Sequence, residues 1–329
     1  MRILVADALE PFAVAALESA GHTCTVDPDL TGDSLPAAIG DAEALIVRST
    51  KVTAETLAAG KELTLVVRAG AGTNTIDVAA ATASGVVVTN VPGRNADAVA
   101  ELAFGLMLAI DRKIPDGVIA LRAGQWDKKG MSKGARGLKG TDLGIVGLGS
   151  IGLGVASRAR AFGMNVLALR RPGRSAESEA RIADLGITLL DSQPELAASV
   201  DWLSLHIPAG PDTAGIVDAE TLGAMRPGAV LINTSRADVG DADALLERLE
   251  AGAIRAGLDV FPDEPGTGNA AWTSAIAAHP AVVGTHHVGA STEQAQLAVA
   301  EGVVDVVAAF VAGSPVHVVN PAALGGGGG

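Results

Sequence analysis

Short runs of apolar and β-branched residues alternate with longer Ala-rich stretches along nearly the whole chain, and no other feature restricts the fold as much. Ile3–Ala6, Thr23–Val26, Ala44–Val47, Leu63–Val67 and Val86–Thr89 read as strands with helical patterns between them. A second series follows the same rule at Leu143–Val146, Asn165–Leu169, Ile187–Leu190, Trp202–His206, Val230–Asn233 and Gly257–Val260. Strands separated by helices form βαβ units, whose crossover connections leave neighbouring strands parallel. The expectation is an α/β chain with two parallel sheets.

At roughly 150 residues per domain, 329 residues favour two domains. Ala96–Ile110 carries Val99, Leu102, Ala103, Leu106 and Ile110 at helical spacing, and Ser291–Phe310 is a second long helical run. Val316–Val319 then reads as a short strand that returns to the first domain. The chain is therefore expected to cross between domains twice, first near Asn95, with a cleft between them as the place for chemistry. Leu121–Lys139, rich in Gly, Lys and Arg around Trp126, reads as an exposed arm, and Gly325–Gly329 as a disordered tail with no side chain to pack.

Twenty-four Lys and Arg stand against 37 Asp and Glu, a formal charge of -13. Such a surface repels phosphate polymers and anionic lipid, so neither nucleic acid nor membrane is an expected partner. The single cysteine, Cys24, cannot form an intramolecular disulfide, which suits a reducing compartment. Met1–Glu10 lacks the apolar core and cleavage site of a signal peptide, and no uncharged apolar run reaches the ~18 residues of a membrane span. A cytoplasmic location and no metal site are expected.

Gly147-Leu148-Gly149-Ser150-Ile151-Gly152 lies between the strand Leu143–Val146 and the helical run Ile151–Phe162. In that context the spacing is a dinucleotide-binding fingerprint. Gly147 permits the tight turn, Gly149, with Ser150 and Ile151 beside it, lets the backbone approach a pyrophosphate, and Gly152 allows helix and strand to pack closely. Eighteen residues after Gly152, where a carboxylate would bind the ribose 2′-hydroxyl of NAD, the chain has Arg170 and Arg171, with Arg174 close by. Guanidinium groups there can pair with a 2′-phosphate or stack on adenine. They can also simply cap a surface turn, so NAD(H) and NADP(H) both stay open.

Three charged or titratable residues follow later strands: Arg236 after Leu231–Ser235, Glu264 after Leu258–Phe261 and His287 after Val282–Thr285. The carboxyl ends of strands are where open α/β sheets bind ligands. Taken singly, these are as readily a helix-flanking Arg, a surface Glu and a structural His. Beside a dinucleotide loop they form a candidate catalytic set.

With these motifs the sequence resembles the D-isomer-specific 2-hydroxyacid dehydrogenases over nearly its whole length. It is most similar to their phosphoglycerate-oxidising branch, in the short form without a C-terminal regulatory domain. The resemblance rests on Ile46–Ser49, Arg68–Gly72, Ala100–Leu102, the Gly147–Gly152 loop, Asn233–Arg236, Leu258–Phe261 with Glu264-Pro265, and His287–Thr292. It implies a Rossmann-like doubly wound dinucleotide-binding domain, 95–286, inserted in a smaller flavodoxin-like α/β substrate domain, 1–94. Residues 287–324 return to the substrate domain and 325–329 form the tail.

The resemblance further implies that Arg236 holds the substrate carboxylate and polarises its carbonyl, that His287 exchanges the proton of the C2 hydroxyl, and that Glu264 pairs with His287. The chemistry agrees with that division. An imidazole titrating near neutrality can take and return a proton as a hydride moves, and a carboxylate beside it favours the imidazolium and fixes the ring. Also by resemblance, the small-residue turn Ala69, Gly70 and Ala71 receives the substrate carboxylate through main-chain amides. His206, Ile207 and Pro208 line the nicotinamide side, Thr234 and Ser235 touch the cofactor, Asp259 lies near the nicotinamide ribose or amide, and Gly289 adjoins it. One departure stands out: His286 occupies the place of the family's usual Pro, and His287 is taken as the proton carrier because Gly289–Thr292 sets the register.

Arg48 and Ser49, followed by Lys51-Val52-Thr53, match the family's phosphate-gripping pattern, and Lys128 in the basic arm is a second candidate, unless that arm is simply solvated or reaches a neighbouring subunit. The implied reaction is oxidation of D-3-phosphoglycerate to 3-phosphohydroxypyruvate, which opens L-serine biosynthesis, in a homodimer or higher homo-oligomer. Within the enzyme class the alternative is an NADPH-preferring glyoxylate or hydroxypyruvate reductase. Outside it the alternative is a dinucleotide-sensing, corepressor-like binding protein, against which Arg236, Glu264 and His287 argue. Domain closure is expected to exclude water from the hydride path, and without an appended domain serine feedback by the usual route is not expected.

Overall fold

In the computed structural model, which describes residues 1–265 and 269–325, the apolar runs become strands and the Ala-rich runs helices. The chain begins with β1 (Arg2–Val5), α1 (Pro11–Ser19), β2 (Thr23–Val26), α2 (Leu35–Ala38), β3 (Ala44–Val47), α3 (Ala54–Ala59), β4 (Leu65–Arg68), α4 (Val78–Ala83) and β5 (Val87–Asn90). Next come α5 (Ala96–Arg112), α6 (Ile114–Arg122), α7 (Lys128–Ser132), β6 (Asp142–Val146), α8 (Ser150–Ala161), β7 (Asn165–Leu169), α9 (Ala176–Asp184) and β8 (Thr188–Leu190). The series continues through α10 (Gln193–Ser199), β9 (Trp202–Leu205), α11 (Ala219–Ala224), β10 (Val230–Asn233), α12 (Ala242–Glu250), β11 (Arg255–Leu258) and β12 (Val282–Gly284), and ends with α13 (Glu293–Val311).

Two compact units result, Met1–Asn95 with the chain from Ser291, and Ala96–Ala290. The first holds the sheet β2-β1-β3-β4-β5 and the second β12-β11-β10-β9-β6-β7-β8, with neighbouring strands parallel. Parallel sheets are covered on both faces, so their central strands must be apolar throughout rather than at alternate positions. β3, β9 and β10 follow this rule, with all four residues of each buried. In each unit the strand order reverses at a switch point, β1/β3 in the first and β6/β9 in the second. The crevice outside the carboxyl ends there is the natural ligand position in an open α/β sheet.

The second unit extends to Ala290, four residues past the expected boundary at 286. Hydrogen bonds from the His287, Val288 and Gly289 amides to Asp259 hold those residues to the end of β11. A second correction concerns Val316–Val319, which is not a strand. Val318 makes an isolated antiparallel bridge to Thr89, and His317, with φ +54°, breaks the extended run. The edge of β5 is met partly by this segment's main chain, with the Val319 amide donating to the Val88 carbonyl and the His317 carbonyl accepting from the Asn90 amide, and partly by a side chain: Asn320 Oδ1 accepts from the Val88 amide, and its Nδ2 donates to the Val86 carbonyl and the Thr82 hydroxyl. Of the glycine tail, residues 326–329 lie outside the described residues.

Among the described residues, α13 alone is long and apolar enough to cross a membrane by length and composition. It is explained by its own unit. Val303, Val306 and Val307 are buried in that unit's core, and Asp305 on the same helix pairs with Arg94 at 3.1 Å. The arm from Leu121 is mostly exposed as far as Arg136, includes α7, and returns to the sheet at a fixed point. There the Arg136 and Gly137 amides donate to the buried Asp111 carboxylate, and Arg136 Nη2 meets Asp201 Oδ1 at 2.8 Å.

Leu203, fully buried in β9, tests whether the central strand sets the stability of the second unit. Leu203→Ala is expected to cost about 2–5 kcal/mol, read as a lower urea midpoint for that unit's unfolding. A midpoint equal to that of the wild type would contradict the packing described.

Candidate active site

At the switch point of the second unit the loops after β6 and β9 touch, and glycine is what lets them. Gly147 has φ +100°, and a Cβ there would collide with the His206 carbonyl; one on Gly152 would collide with the Gly147 carbonyl. Gly149 differs: nothing lies within 4 Å of where its Cβ would be. It is the N-cap of α8, and no side chain among the described residues caps that helix. The amides of the first turn, Ser150 and Ile151 among them, therefore face open space at the positive end of the helix dipole, an arrangement suited to a pyrophosphate.

Two buried polar atoms near the same strand ends lack a partner among the described residues, His206 Nδ1 and Thr234 Oγ1. Buried polar groups ordinarily have partners, so this pair points to a polar ligand group. Burial drives the His206 pKa down to about 3, so its imidazole is neutral, with Nε2 2.8 Å from the Ser204 hydroxyl. Ile207 is half-buried against the apolar core, and Pro208 is exposed with its carbonyl bound by Thr213. Bare helix amides, an open glycine and orphaned polar atoms together fit a dinucleotide. At the end of β7, Arg170 pairs with Asp191, Arg174 donates to the Leu169 carbonyl, and Arg171 is exposed.

Asp259 directly follows β11 and is 1% exposed. Its Oδ1 accepts from the Thr285 hydroxyl at 2.6 Å and the Val288 amide at 2.9 Å, its Oδ2 from the Gly289 amide at 2.8 Å, and its carbonyl from the His287 amide at 2.8 Å. Both carboxylate oxygens are thus engaged by the Thr285–Gly289 loop. The residue expected beside the cofactor is the post to which that loop is tied, and the Gly289 amide faces Asp259. A Cβ on Gly289 would stand 2.9 Å from Asp259 Oδ2, which is why the loop has no side chain there.

The same ties place His287 at φ +53°, a left-handed conformation uncommon for residues other than Gly. His287 Nδ1 hydrogen-bonds Glu264 Oε1, and the Phe261 amide donates to Glu264 Oε2 at 3.1 Å. Phe261 is itself held edge-to-face against Trp272, with ring centroids 5.4 Å apart. Burial pushes the Glu264 carboxyl up. The hydrogen bonds from His287 and the Phe261 amide and the charges of His287 and Arg236 outweigh it and hold the group below the usual carboxylate range. His286 is exposed and makes no hydrogen bond among the described residues, so the pairing belongs to His287 alone.

Arg236 leaves β10 through a tight turn. Asn233 Oδ1 accepts from both the amide and the hydroxyl of Ser235, and Asn233 Nδ2 donates to the Arg236 carbonyl at 2.8 Å. Arg236 Nη1 donates to the Ser235 carbonyl at 2.7 Å, leaving the rest of the half-buried guanidinium available.

In the first unit, Asp7 follows β1 and Arg48 follows β3, the two sides of that unit's switch point. Asp7 Oδ2 accepts the amides of Arg48, Ser49 and Thr50 at 2.7, 3.1 and 3.0 Å. The sequence reading missed Asp7, although an acid at the carboxyl end of a central strand was a usable signal. After β4, the Ala69 and Gly70 amides donate to the Val47 and Arg68 carbonyls. Those two amides, expected to receive a substrate carboxylate, are thus engaged by the chain's own carbonyls in this structure. Asn90 Nδ2 grips the Ala71 carbonyl at 2.6 Å, and the Ala71 amide has no acceptor among the described residues. Lys128 opens α7, exposed and without an ion pair among the described residues.

The family model for the D-isomer specific 2-hydroxyacid dehydrogenase NAD binding domain matches residues 104–289. A D-3-phosphoglycerate dehydrogenase from Methanocaldococcus jannaschii is 41% identical over 302 residues, which cover 91% of this chain and 55% of that protein. The chain thus spans about half the length of the first curated relatives it matches. A hydroxypyruvate reductase from Thermotoga maritima is 37% identical over 90% of this chain and 93% of that protein. Among solved structures, an NADPH-dependent glyoxylate/hydroxypyruvate reductase from Sinorhizobium meliloti superposes with a TM-score of 0.83 at 31% identity, covering 97% of this chain and 98% of that one.

The lowered pKa of Glu264 has a consequence for stability. Stabilisation from this carboxylate is complete above its unfolded value of 4.5 and is lost as pH falls through the lower folded value. Glu264→Gln is therefore expected to narrow the gap between urea midpoints measured near pH 7 and below about pH 4. An unchanged gap would show that the His287 and Phe261 contacts do not favour the ionised form.

Proposed function

The chain belongs to the D-isomer specific 2-hydroxyacid dehydrogenases, and from that premise we propose that it oxidises D-3-phosphoglycerate to 3-phosphohydroxypyruvate, the reaction that opens L-serine biosynthesis. The observation that supports the catalytic assignment is the His287–Glu264 pair at the carboxyl end of the sheet that bears the dinucleotide loop. Hydride exchange at substrate C2 is the chemistry that a bound nicotinamide, NAD(H) or NADP(H), supplies.

The residues have separate tasks. With Nδ1–H donated to Glu264, neutral His287 keeps its lone pair on Nε2, and that atom takes the C2 hydroxyl proton in oxidation and returns it in reduction. Glu264, held ionised, stabilises the imidazolium that forms and prevents the ring from turning. Arg236 pairs with the substrate carboxylate and polarises the oxygen on C2. Taken by itself, the first unit offers the Ala71 amide as a donor suited to a carboxylate, and Arg48 with Ser49 as groups suited to a phosphate.

A second reading, reduction of hydroxypyruvate or glyoxylate, is favoured by one observation: the Thermotoga maritima hydroxypyruvate reductase is 37% identical to this chain, close to the 41% of the Methanocaldococcus jannaschii phosphoglycerate dehydrogenase. Reduction kinetics with 3-phosphohydroxypyruvate, hydroxypyruvate and glyoxylate separate the two. The phosphorylated acid is expected to give the highest kcat/KM, and Arg48→Ala to lower that value at least about tenfold by removing a charge-assisted phosphate contact. His287→Asn is expected to reduce kcat by about 10²–10⁴ with every substrate. Equal or faster turnover of the unphosphorylated acids assigns the chain to the reductases.

The location that best suits the single free cysteine, Cys24, is the cytoplasm. A homodimer accounts for α6, where Ile114, Val118 and Leu121 recur at helical spacing and none of the nine residues is buried, and for Trp126, 82% exposed in the arm beyond it. Apolar surface of that kind is ordinarily covered by a partner. Sedimentation at micromolar concentration is expected to give twice the chain mass, and Val118→Asp with Leu121→Asp to give the monomer. A monomeric wild type would defeat this assignment.

A further inference from the structure

Arg170 stands where an NAD-preferring fold places a carboxylate for the ribose 2′-hydroxyl, and its guanidinium is already engaged. Nε donates to Asp191 Oδ1 at 2.8 Å, and Nη2 reaches the Leu189 carbonyl at 3.4 Å. Asp191 directly follows β8, which flanks β7 on the side away from β6. The pair therefore draws Arg170 towards the sheet edge and away from the strand that bears the glycine loop. Arg174 is held as well, by the Leu169 carbonyl at 2.8 Å and Glu179 at 3.9 Å. Of the three arginines that the sequence offers to a 2′-phosphate, Arg171 alone is exposed without an ion pair among the described residues.

We propose that Asp191 is a selectivity determinant between NAD(H) and NADP(H), acting through Arg170. A 2′-phosphate brings about two negative charges where a 2′-hydroxyl brings none. Asp191 opposes that charge directly and also occupies the guanidinium that would answer it. The acid missing from the end of β7 is in this way supplied from the end of the neighbouring strand, by a residue whose spacing from the glycine loop matches no fingerprint. The pair faces solvent, with side-chain exposures of 58% and 78%, so it adds little to folding and can be opened without unfolding the unit. Its effect is on charge and orientation at the turn.

The inference rests on dinucleotide binding and is independent of the substrate, so the test is equilibrium titration of NADH and NADPH, followed by nicotinamide fluorescence with no substrate present. Asp191→Asn is expected to lower the ratio Kd(NADPH)/Kd(NADH) about tenfold, because a freed guanidinium pairs with phosphate and an opposing charge is gone. Asp191→Glu is expected to keep the wild-type ratio, and adding Arg170→Ala to Asp191→Asn to erase the gain. A ratio in Asp191→Asn within about twofold of wild type, or a gain that persists without Arg170, overturns the proposal. A wild-type chain that binds neither dinucleotide overturns the cofactor assignment together with it, whereas binding with an unmoved ratio overturns this proposal alone.

Discussion

A carboxylate removed from water is tolerated only when hydrogen bonds replace its hydration, and Asp259, 1% exposed, obtains them entirely from the Thr285–Gly289 loop. That exchange sets the geometry of everything downstream. The loop cannot drift from β11 without leaving Asp259 buried and unpaired, and with the loop fixed, His287 is kept in a backbone conformation that it would not adopt alone. The imidazole then meets Glu264, which is oriented independently through the Phe261 amide. Two strands, β11 and β12, thus deliver the two members of the pair, and one buried acid holds them in register.

The switch points of the two units use the same elements in opposite ways. After β3, three successive amides converge on Asp7, so an anion-binding turn is filled by the chain's own carboxylate. After β6, Gly149 and the uncapped start of α8 leave comparable amides open. An internal carboxylate closes the first turn to ligand and makes it a rigid base for Arg48. Its absence leaves the second turn with the geometry that suits an anion. Which amides can take a ligand follows from where the acidic side chains fall, and residue type in the loop alone does not decide it.

That distinction explains how much could be read in advance. Strands, the dinucleotide loop and the trio Arg236, Glu264 and His287 depend on local pattern or on position at a strand end, and both are visible along the chain. The contacts that were missed join distant residues: Asp7 to Arg48 across 41 positions, Asp259 to Gly289 across 30, Arg170 to Asp191 across 21. Each is made by the register of parallel strands, and no local period encodes it. Val316–Val319 shows the converse failure. Its β-branched residues satisfy strand propensity and its main chain makes two bonds to β5, but the Asn320 side chain takes over the Val88 amide and the Val86 carbonyl, and the backbone turns at His317 instead of extending the ladder.

The overall charge of -13 disfavours, at long range, an anionic substrate and a dinucleotide alike. Screening removes most of that difficulty, because exposed charges beyond about 8–10 Å act weakly at physiological ionic strength. What an anion meets at close range is a small set of oriented groups: the bare start of α8, the available part of the Arg236 guanidinium, and Arg171. The acidic remainder acts at longer range, where it disfavours polyanions that would otherwise compete for those groups. Local cations in an acidic chain therefore need their acidic neighbours placed with care. Glu264 pairs with His287, Asp259 and Asp7 are engaged by backbone amides, and Asp191 offsets one arginine out of three. For these four carboxylates the partner is defined, and their local field is set by those pairings more than by the sum over the surface.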